Sequence, residues 1–308
     1  MTEFILAGFQ YTYVIQMILF PLFLFIYLTI LLGNCVILAA VIKNEKLQKP
    51  MYFFVCNLAI LDILLTSVTL PRILFQFLTG VNVISFAACF AQLCILHSLL
   101  LTEAFILVVM AYDRYLAICN PLHYTMIMTN KVNTLFVVIA WVTAIFLIVP
   151  PVLLTAQLPF CGPNKIPSFF CEHVFVIRLA KTDAPSSYDS GLFIGIIISL
   201  LPFLLVVFSY IKILISALKV SSQDGIQKGL STCTSHLLVV LIYYTTSGIS
   251  TVSYKVENMP DTVRVVCSLS FIILTPIANP MIYTLRNRDM KLTIAKIARL
   301  GKSTPGER

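Results

Sequence analysis

Long uncharged stretches alternate with short polar ones along the whole chain. No Lys, Arg, Asp or Glu lies between Glu3 and Lys43. One charge, Asp62, interrupts the stretch from Lys49 to Arg72, and one, Glu103, interrupts that from Arg72 to Asp113. Further uncharged runs separate Lys131 from Lys165, Asp189 from Lys212, Lys228 from Lys255 and Arg264 from Arg286. A bilayer's hydrocarbon core is about 30 Å thick and a helix rises about 1.5 Å per residue, so about 20 apolar residues cross it. All seven runs reach that length. The third run has room for two helices, but no Pro or Gly follows Gly80 within it, which predicts one long helix behind a short loop. The runs are continuous rather than alternating over about ten residues, so the spans read as helices and not as barrel strands. The predicted spans cover about 15–42, 51–78, 86–119, 132–151, 188–215, 228–253 and 264–285, and residues about 286–300 form a surface helix.

Composition narrows the class further. Of 308 residues, 59% are hydrophobic and 11% charged, against about 45–50% and about 25% in soluble domains. Mean hydropathy is +0.96. A soluble enzyme would lack polar surface to cover itself, and a disordered or collagen-like chain is excluded on the same grounds. No repeat and no long linker divides the chain, so residues 1–308 read as one domain.

The net charge of +8 is informative through its location. With the N-terminus outside, fifteen of the 21 basic residues fall on inner segments, which agrees with the positive-inside rule. No basic n-region or small-residue cleavage site precedes the first span, so that span is expected to serve as the insertion signal. The +8 is therefore assigned to an inner surface and not to nucleic-acid binding.

Ionisable side chains within a span are costly unless they face a polar interior, which makes Asp62 and Glu103 functional candidates, with Asn279 beside Pro280 in the last span. Two carboxylates and an amide suit a cation or proton site; protonated, hydrogen-bonded acids are the alternative. Asp113-Arg114-Tyr115 stands at the inner end of the third span.

These residues sit within longer strings. Gly33-Asn34 lies in the first span. PMYFF opens the second at Pro50, followed by Asn57-Leu58 and Asp62. MAYDRYLAICNPLHY runs from Met110 to Tyr124, and Trp141 is the only tryptophan. Ser209-Tyr210 closes the fifth span after Pro202, KGLSTCTSHLLVV begins at Lys228, and PIANPMIYTLRN begins at Pro276. With these strings in this order the chain resembles the rhodopsin-like (class A) G-protein-coupled receptors, and within them the odorant receptors, from end to end.

The resemblance implies an all-α membrane protein: a seven-transmembrane helix bundle with a short amphipathic C-terminal helix and an extracellular N-terminus. It implies an odorant receptor, not an enzyme, in the plasma membrane of olfactory sensory neuron cilia. Its partners would be a small odorant, membrane lipids and a heterotrimeric G protein of the stimulatory or olfactory type that feeds the cAMP pathway. Arg114 resembles the family's switch residue, with Asp113 as its resting partner and Tyr115 beside it. Tyr210 and Tyr283 resemble tyrosines that swing inward on activation, and His236 lies on the inner end of the moving sixth span. Asp62, Glu103 and Asn279 resemble a sodium site, and a sodium ion in the core is the only cofactor implied. Cys89 and Cys171 match the pair that ties the long outer loop to the third span. Arg286 to Leu300 reads as a basic amphipathic helix suited to an anionic inner leaflet.

The chain departs from the family in three places, one of them Gly225 and Gly229 at the inner start of the sixth span, where helix formers are more common. An intraloop bridge usual there has Cys161 at one end here but Lys181 at the other. No Asn-x-Ser/Thr sequon is present, although the family usually has one near the N-terminus.

Projection of one face outward from Arg114 gives candidate ligand positions Leu96, His97, Leu100 and Leu101. The fifth span offers Ile194 and Ile198, with Gly195 between them. The sixth offers Tyr244, Ser247, Gly248 and Thr251, with Lys255 near the mouth. Such a lining suits a small, mostly apolar molecule with one hydrogen-bonding group; Lys255 and Arg264 are candidates for steering an anionic one. The family's amine receptors carry an acid where this chain has Leu96, and opsins need a lysine in the last span, where Val265 to Leu285 has none. The alternative from another class is a cation transporter or channel that uses Asp62 and Glu103, although transporter repeats are not visible.

Overall fold

The structure is a computed structural model; it describes residues 1–8, 13–160, 162–180, 186–219, 223–286 and 288–300. Ten helices account for nearly all of it. The chain enters the bilayer as α1 (Tyr13–Lys43) and turns through a 3-10 turn (Glu45–Leu47) capped by the Asn44 side chain. Helix α2 (Pro50–Thr79) starts on Pro50, whose missing N–H is not needed in a first turn. It stops at Gly80, which takes a left-handed φ of 72° that a side chain would resist. Ser85 then caps α3 (Phe86–Cys119) and Thr129 caps α5 (Asn130–Ala156), each accepting from a first-turn N–H. Between them lies the short α4 (Pro121–Ile127), and in the second outer loop α6 (His173–Leu179). Helices α7 (Ser186–Lys219), α8 (Gln223–Ser253) and α9 (Asp261–Arg286) complete the bundle before α10 (Arg288–Leu300).

Among the described residues, six helices are long and apolar enough to cross a membrane, and Leu200–Ser216 of α7 is a shorter apolar stretch. Helix α3 is the most buried of the six and α5 the least. Accordingly α3 touches α2, α5, α7 and α8, while α5 presents Leu135, Val142, Phe146 and Leu154 outward, as a lipid-facing helix should.

Helices α1 and α9 are joined by a pair of local defects. Pro280 has no N–H, so the Pro276 carbonyl one turn earlier loses its helical donor. Asn34 Nδ2 of α1 donates to that carbonyl at 3.3 Å. Gly33 allows the approach: a Cβ there would lie 3.1 Å from the Pro280 ring.

The outer side carries an element the hydrophobic pattern did not predict, a three-stranded sheet in the order β2-β1-β3. Strand β1 (Glu3–Leu6) is central; β2 (Val83–Ser85) pairs with it antiparallel and β3 (Lys165–Ile166) parallel. Phe4 of β1 is fully buried against Phe86, Phe90 and Phe160. On the inner side α10 turns Met290 and Ile294 toward the bundle and leaves Lys291 and Lys296 exposed. It is pinned to the first inner turn by Asn44 Nδ2 donating to Thr293 at 2.6 Å.

Candidate functional site

The bundle carries three polar layers, and the innermost holds the Asp113-Arg114 pair. Asp113 is fully buried. Arg114 Nε donates to its Oδ2 at 2.9 Å, and a second guanidinium nitrogen contacts the same oxygen. The other oxygen, Oδ1, accepts from the Tyr124 hydroxyl of α4 at 2.8 Å. One carboxylate thus holds the end of α3 and the second inner loop together. Tyr124 closes the MAYDRYLAICNPLHY string, yet no sequence signal singled it out as a partner. Burial and the neighbouring Asp113 push its phenol up from the ordinary value, so it stays a donor.

A second contact at this end joins α7 to α8. Tyr210 and the fully buried His236 lie with rings stacked at 5.8 Å and hydroxyl to Nδ1 at 2.6 Å. Tyr283 of α9 is buried with its hydroxyl unpartnered. Tyr115 instead stacks on Tyr112 at 6.3 Å, away from the polar contacts.

The middle layer brings together the three residues read as a cation site. Asn279 Nδ2 donates to both oxygens of Asp62, at 3.2 and 3.1 Å, and all three residues are buried. Glu103 Oε1 and Asn279 Oδ1 have no hydrogen-bond partner, and neither has the Asn34 Oδ1 atom. Buried polar atoms without partners mark a place where water or an ion completes the network. The donor set is all oxygen, two carboxylates and an amide carbonyl, which is the chemistry a hard monovalent cation takes. The residues therefore fit sodium. No group of three or more His, Cys, Asp or Glu suited to a transition metal occurs among the described residues.

The outer layer contains the candidate ligand positions. Leu96 and Leu101 are buried within the core, and the Leu100 carbonyl accepts from the Tyr243 hydroxyl at 2.7 Å, which joins α3 to α8. His97 bonds the Leu93 carbonyl through Nδ1 at 3.0 Å and lies edge-on to His173 of α6 at 6.4 Å. His173 Nε2 meets Thr155 at 2.9 Å, and burial, with His97 beside it, lowers its pKa to about 4. Tyr244, Ser247 and Thr251 share a half-buried face of α8. The Tyr244 ring rests 4.9 Å from Phe203 of α7, and its hydroxyl is unpartnered. Gly248 is exposed, with open space where a Cβ would go, and Lys255 is exposed at the helix end. The side chains of Ile194 and Ile198 lie outside the described residues, as does Cys161. Arg264 differs from the expectation of a steering cation: it is held by Asp261 at 2.9 Å and by the carbonyls of Ser253 and Val256.

The roof over this layer is fixed by Cys89 and Cys171, which form a disulfide between α3 and the second outer loop. The Cys171 N–H donates to Gln92 Oε1 at 2.9 Å, and Gln92 reaches on to the Val68 carbonyl. Strand β1 lies beside this loop. Gly8, at φ +56°, runs so close to Phe169 that a Cβ would sit 2.4 Å from the ring.

A family model described as olfactory receptor matches residues 23–300. Olfactory receptor 2AT4 of Homo sapiens is 46% identical, over 90% of this chain and 87% of that one. Olfactory receptor 10A3 of Homo sapiens is 39% identical, over 96% of this chain and 94% of that one. Among solved structures, squid rhodopsin superposes with a TM-score of 0.77 at 15% identity, covering 98% of this chain and 90% of that one, a likeness of fold.

Proposed function

The chain belongs to the olfactory receptor family, and on that premise we propose how its residues detect an odorant and report it across the membrane. As a member of that family it is a seven-transmembrane odorant receptor of the plasma membrane and not an enzyme. It takes a small-molecule ligand and couples to a G protein. The transporter alternative has no support once the family is known.

The G protein of our reading is of the stimulatory, olfactory type, which raises cAMP, and the membrane is that of sensory cilia. The ligand lies between α3, α7 and α8 under the second outer loop. Leu96, Leu100 and Leu101 supply apolar contact there. His97, Tyr244, Ser247 and Thr251 offer the hydrogen-bonding group, Gly248 leaves space, and Lys255 stands at the mouth.

The observation that carries the switch is the twofold hold on Asp113. At rest its two oxygens engage Arg114 and Tyr124, so the arginine is held at the end of α3. An agonist that prefers the state with α8 swung outward shifts the population toward it. Arg114 then leaves Asp113, the Tyr210–His236 contact opens, and Tyr210 and Tyr283 turn inward to hold the freed helix ends.

Asp62, Glu103 and Asn279 would hold a sodium ion. When bound, the ion supplies a positive charge that neutralises the two carboxylates between α2, α3 and α9. Its effect on signalling is set by its differential affinity for the two states.

The test is cAMP production in cells that express the receptor with either a stimulatory, olfactory-type or an inhibitory-type α subunit, over a chemically diverse odorant panel. Odorant-dependent cAMP with the stimulatory subunit alone is the expected result. A response that requires the inhibitory subunit would overturn the coupling assignment.

A further inference from the structure

Glu172 follows Cys171 in the second outer loop and is 7% exposed. Its Oε1 accepts from Ser168 at 2.5 Å. Its Oε2 accepts from Ser268 of α9 at 2.9 Å and from the hydroxyl of Tyr254, the residue that follows α8. Tyr254 and Ser268 also bond each other at 2.6 Å, and Ser250 of α8 lies 3.4 Å from Ser268. The Tyr254 ring packs edge-on to Phe175 of α6 at 5.5 Å. The cluster therefore joins three bodies. The loop is bound to α3 through Cys89, and one carboxylate carries that anchorage to the outer ends of α8 and α9. None of the ligand, switch or cation readings uses Glu172.

We propose that the Glu172 carboxylate is an extracellular latch: it holds Tyr254 and Ser268 so that the loop tied to α3 restrains the α8 movement on which signalling depends. Glu172 acts here as a positioning residue, and the proposal rests on the reading that α8 moves. A rigid helix that swings outward at its inner end must shift or rotate at its outer end, so the Tyr254 and Ser268 contacts strain or break in the signalling state.

The latch has a built-in proton dependence. Burial raises the Glu172 pKa to about 7, with the Ser168 and Ser268 hydrogen bonds offsetting part of the rise. A released, solvated glutamate returns to about 4.3. Because the pKa is higher in the latched state, protons favour latching. That contribution is complete below the released value and is lost as pH rises through the latched value, so the latch loosens between pH 6 and 8 by about tenfold. The charged and titratable groups around it are few. From the loop come His173, held neutral over this range with its pKa at about 4, and Arg178, which donates to the Tyr254 carbonyl. From the end of α8 come Tyr254 and the exposed Lys255. From α9 comes Arg264, bound to Asp261. Gln92, on α3, is neutral.

The test measures G-protein signalling without odorant at external pH 6 and pH 8, at matched surface level, in wild type, Glu172→Gln, Glu172→Ala and Tyr254→Phe. It also measures amide hydrogen exchange of the loop in purified receptor, corrected for intrinsic pH dependence. The wild-type basal signal and loop exchange should rise severalfold, up to about tenfold, from pH 6 to pH 8. Glu172→Gln, always neutral, should stay low and flat; Glu172→Ala should be high and flat; Tyr254→Phe should be raised at both values. A Glu172→Gln receptor with the wild-type pH slope overturns the proposal. So does a Tyr254→Phe receptor with unchanged basal signal, or wild-type loop exchange that is indifferent to pH. The exchange reading needs no G protein, so pH-dependent exchange with no receptor-dependent signal would support the latch and overturn its link to signalling.

Discussion

The side-chain amide of Asn279 donates to both carboxylate oxygens of Asp62 across 217 residues of chain. Its carbonyl oxygen and Glu103 Oε1 have no hydrogen-bond partner. An amide that neutralises neither acid, beside acceptor atoms without partners, supports the proposed cation site. Purified receptor should melt at a higher temperature in sodium than in an equal concentration of a large organic cation. Sodium at ten times its dissociation constant adds about 1.4 kcal/mol. Asp62→Asn and Glu103→Gln should abolish the difference, and a sodium effect that survives both would assign the ion elsewhere.

Tyr124→Phe removes one of the two holds on Asp113 without disturbing the Arg114 contact. A hydrogen bond to a charged group contributes about 1.5–3 kcal/mol, so odorant-free signalling should rise about tenfold or more at equal surface level. Arg114→Ala should instead abolish signalling while leaving the receptor at the surface. Basal cAMP normalised to surface labelling reads both.

The Tyr244 hydroxyl has no partner in the bundle, so Tyr244→Phe costs no internal hydrogen bond. Responses to odorants with a hydroxyl or carbonyl should weaken by up to about tenfold, and those to hydrocarbon analogues should not change. Equal loss for both would show that the hydroxyl does not meet the ligand.

Cys89→Ser and Cys171→Ser each open the same bond. Each should lower stability by about 2–4 kcal/mol, and the double variant should be no worse than either single one. A thermal melt of purified receptor tests this. Additive losses would mean that the sulfurs act separately.

Gly33→Val places a branched side chain where even a Cβ would lie 3.1 Å from the Pro280 ring. Overpacking of this kind costs about 1–3 kcal/mol, and separation of α1 from α9 would also break the Asn34 bond to Pro276. The melting temperature should fall, with Gly33→Ala intermediate. An unchanged melt for the valine variant would show that the two helices yield freely.

The spans and their orientation were legible in the sequence because a membrane imposes one-dimensional rules: a minimum apolar length, and basic residues kept inside. The cost of charge inside a span marks Asp62 and Glu103 as candidates, and the motif strings mark Asp113, Arg114 and Asn279. What the strings left open was the second partner of Asp113 and the partner of Asn34. Tyr124 completes Asp113 only because α4 folds back under α3, and Asn34 meets Pro276 across 242 positions. Strand β1 was missed because four residues are too short a pattern to separate from a polar tail. Glu172 stands outside every string singled out in the sequence. Its importance comes from burial between hydroxyls of two other helices, Tyr254 at the end of α8 and Ser268 in α9. Sequence determined which segments enter the bilayer, since that depends on composition within each segment. Tertiary structure decided which buried polar atoms are satisfied and which are not, since that depends on groups brought together from distant parts of the chain.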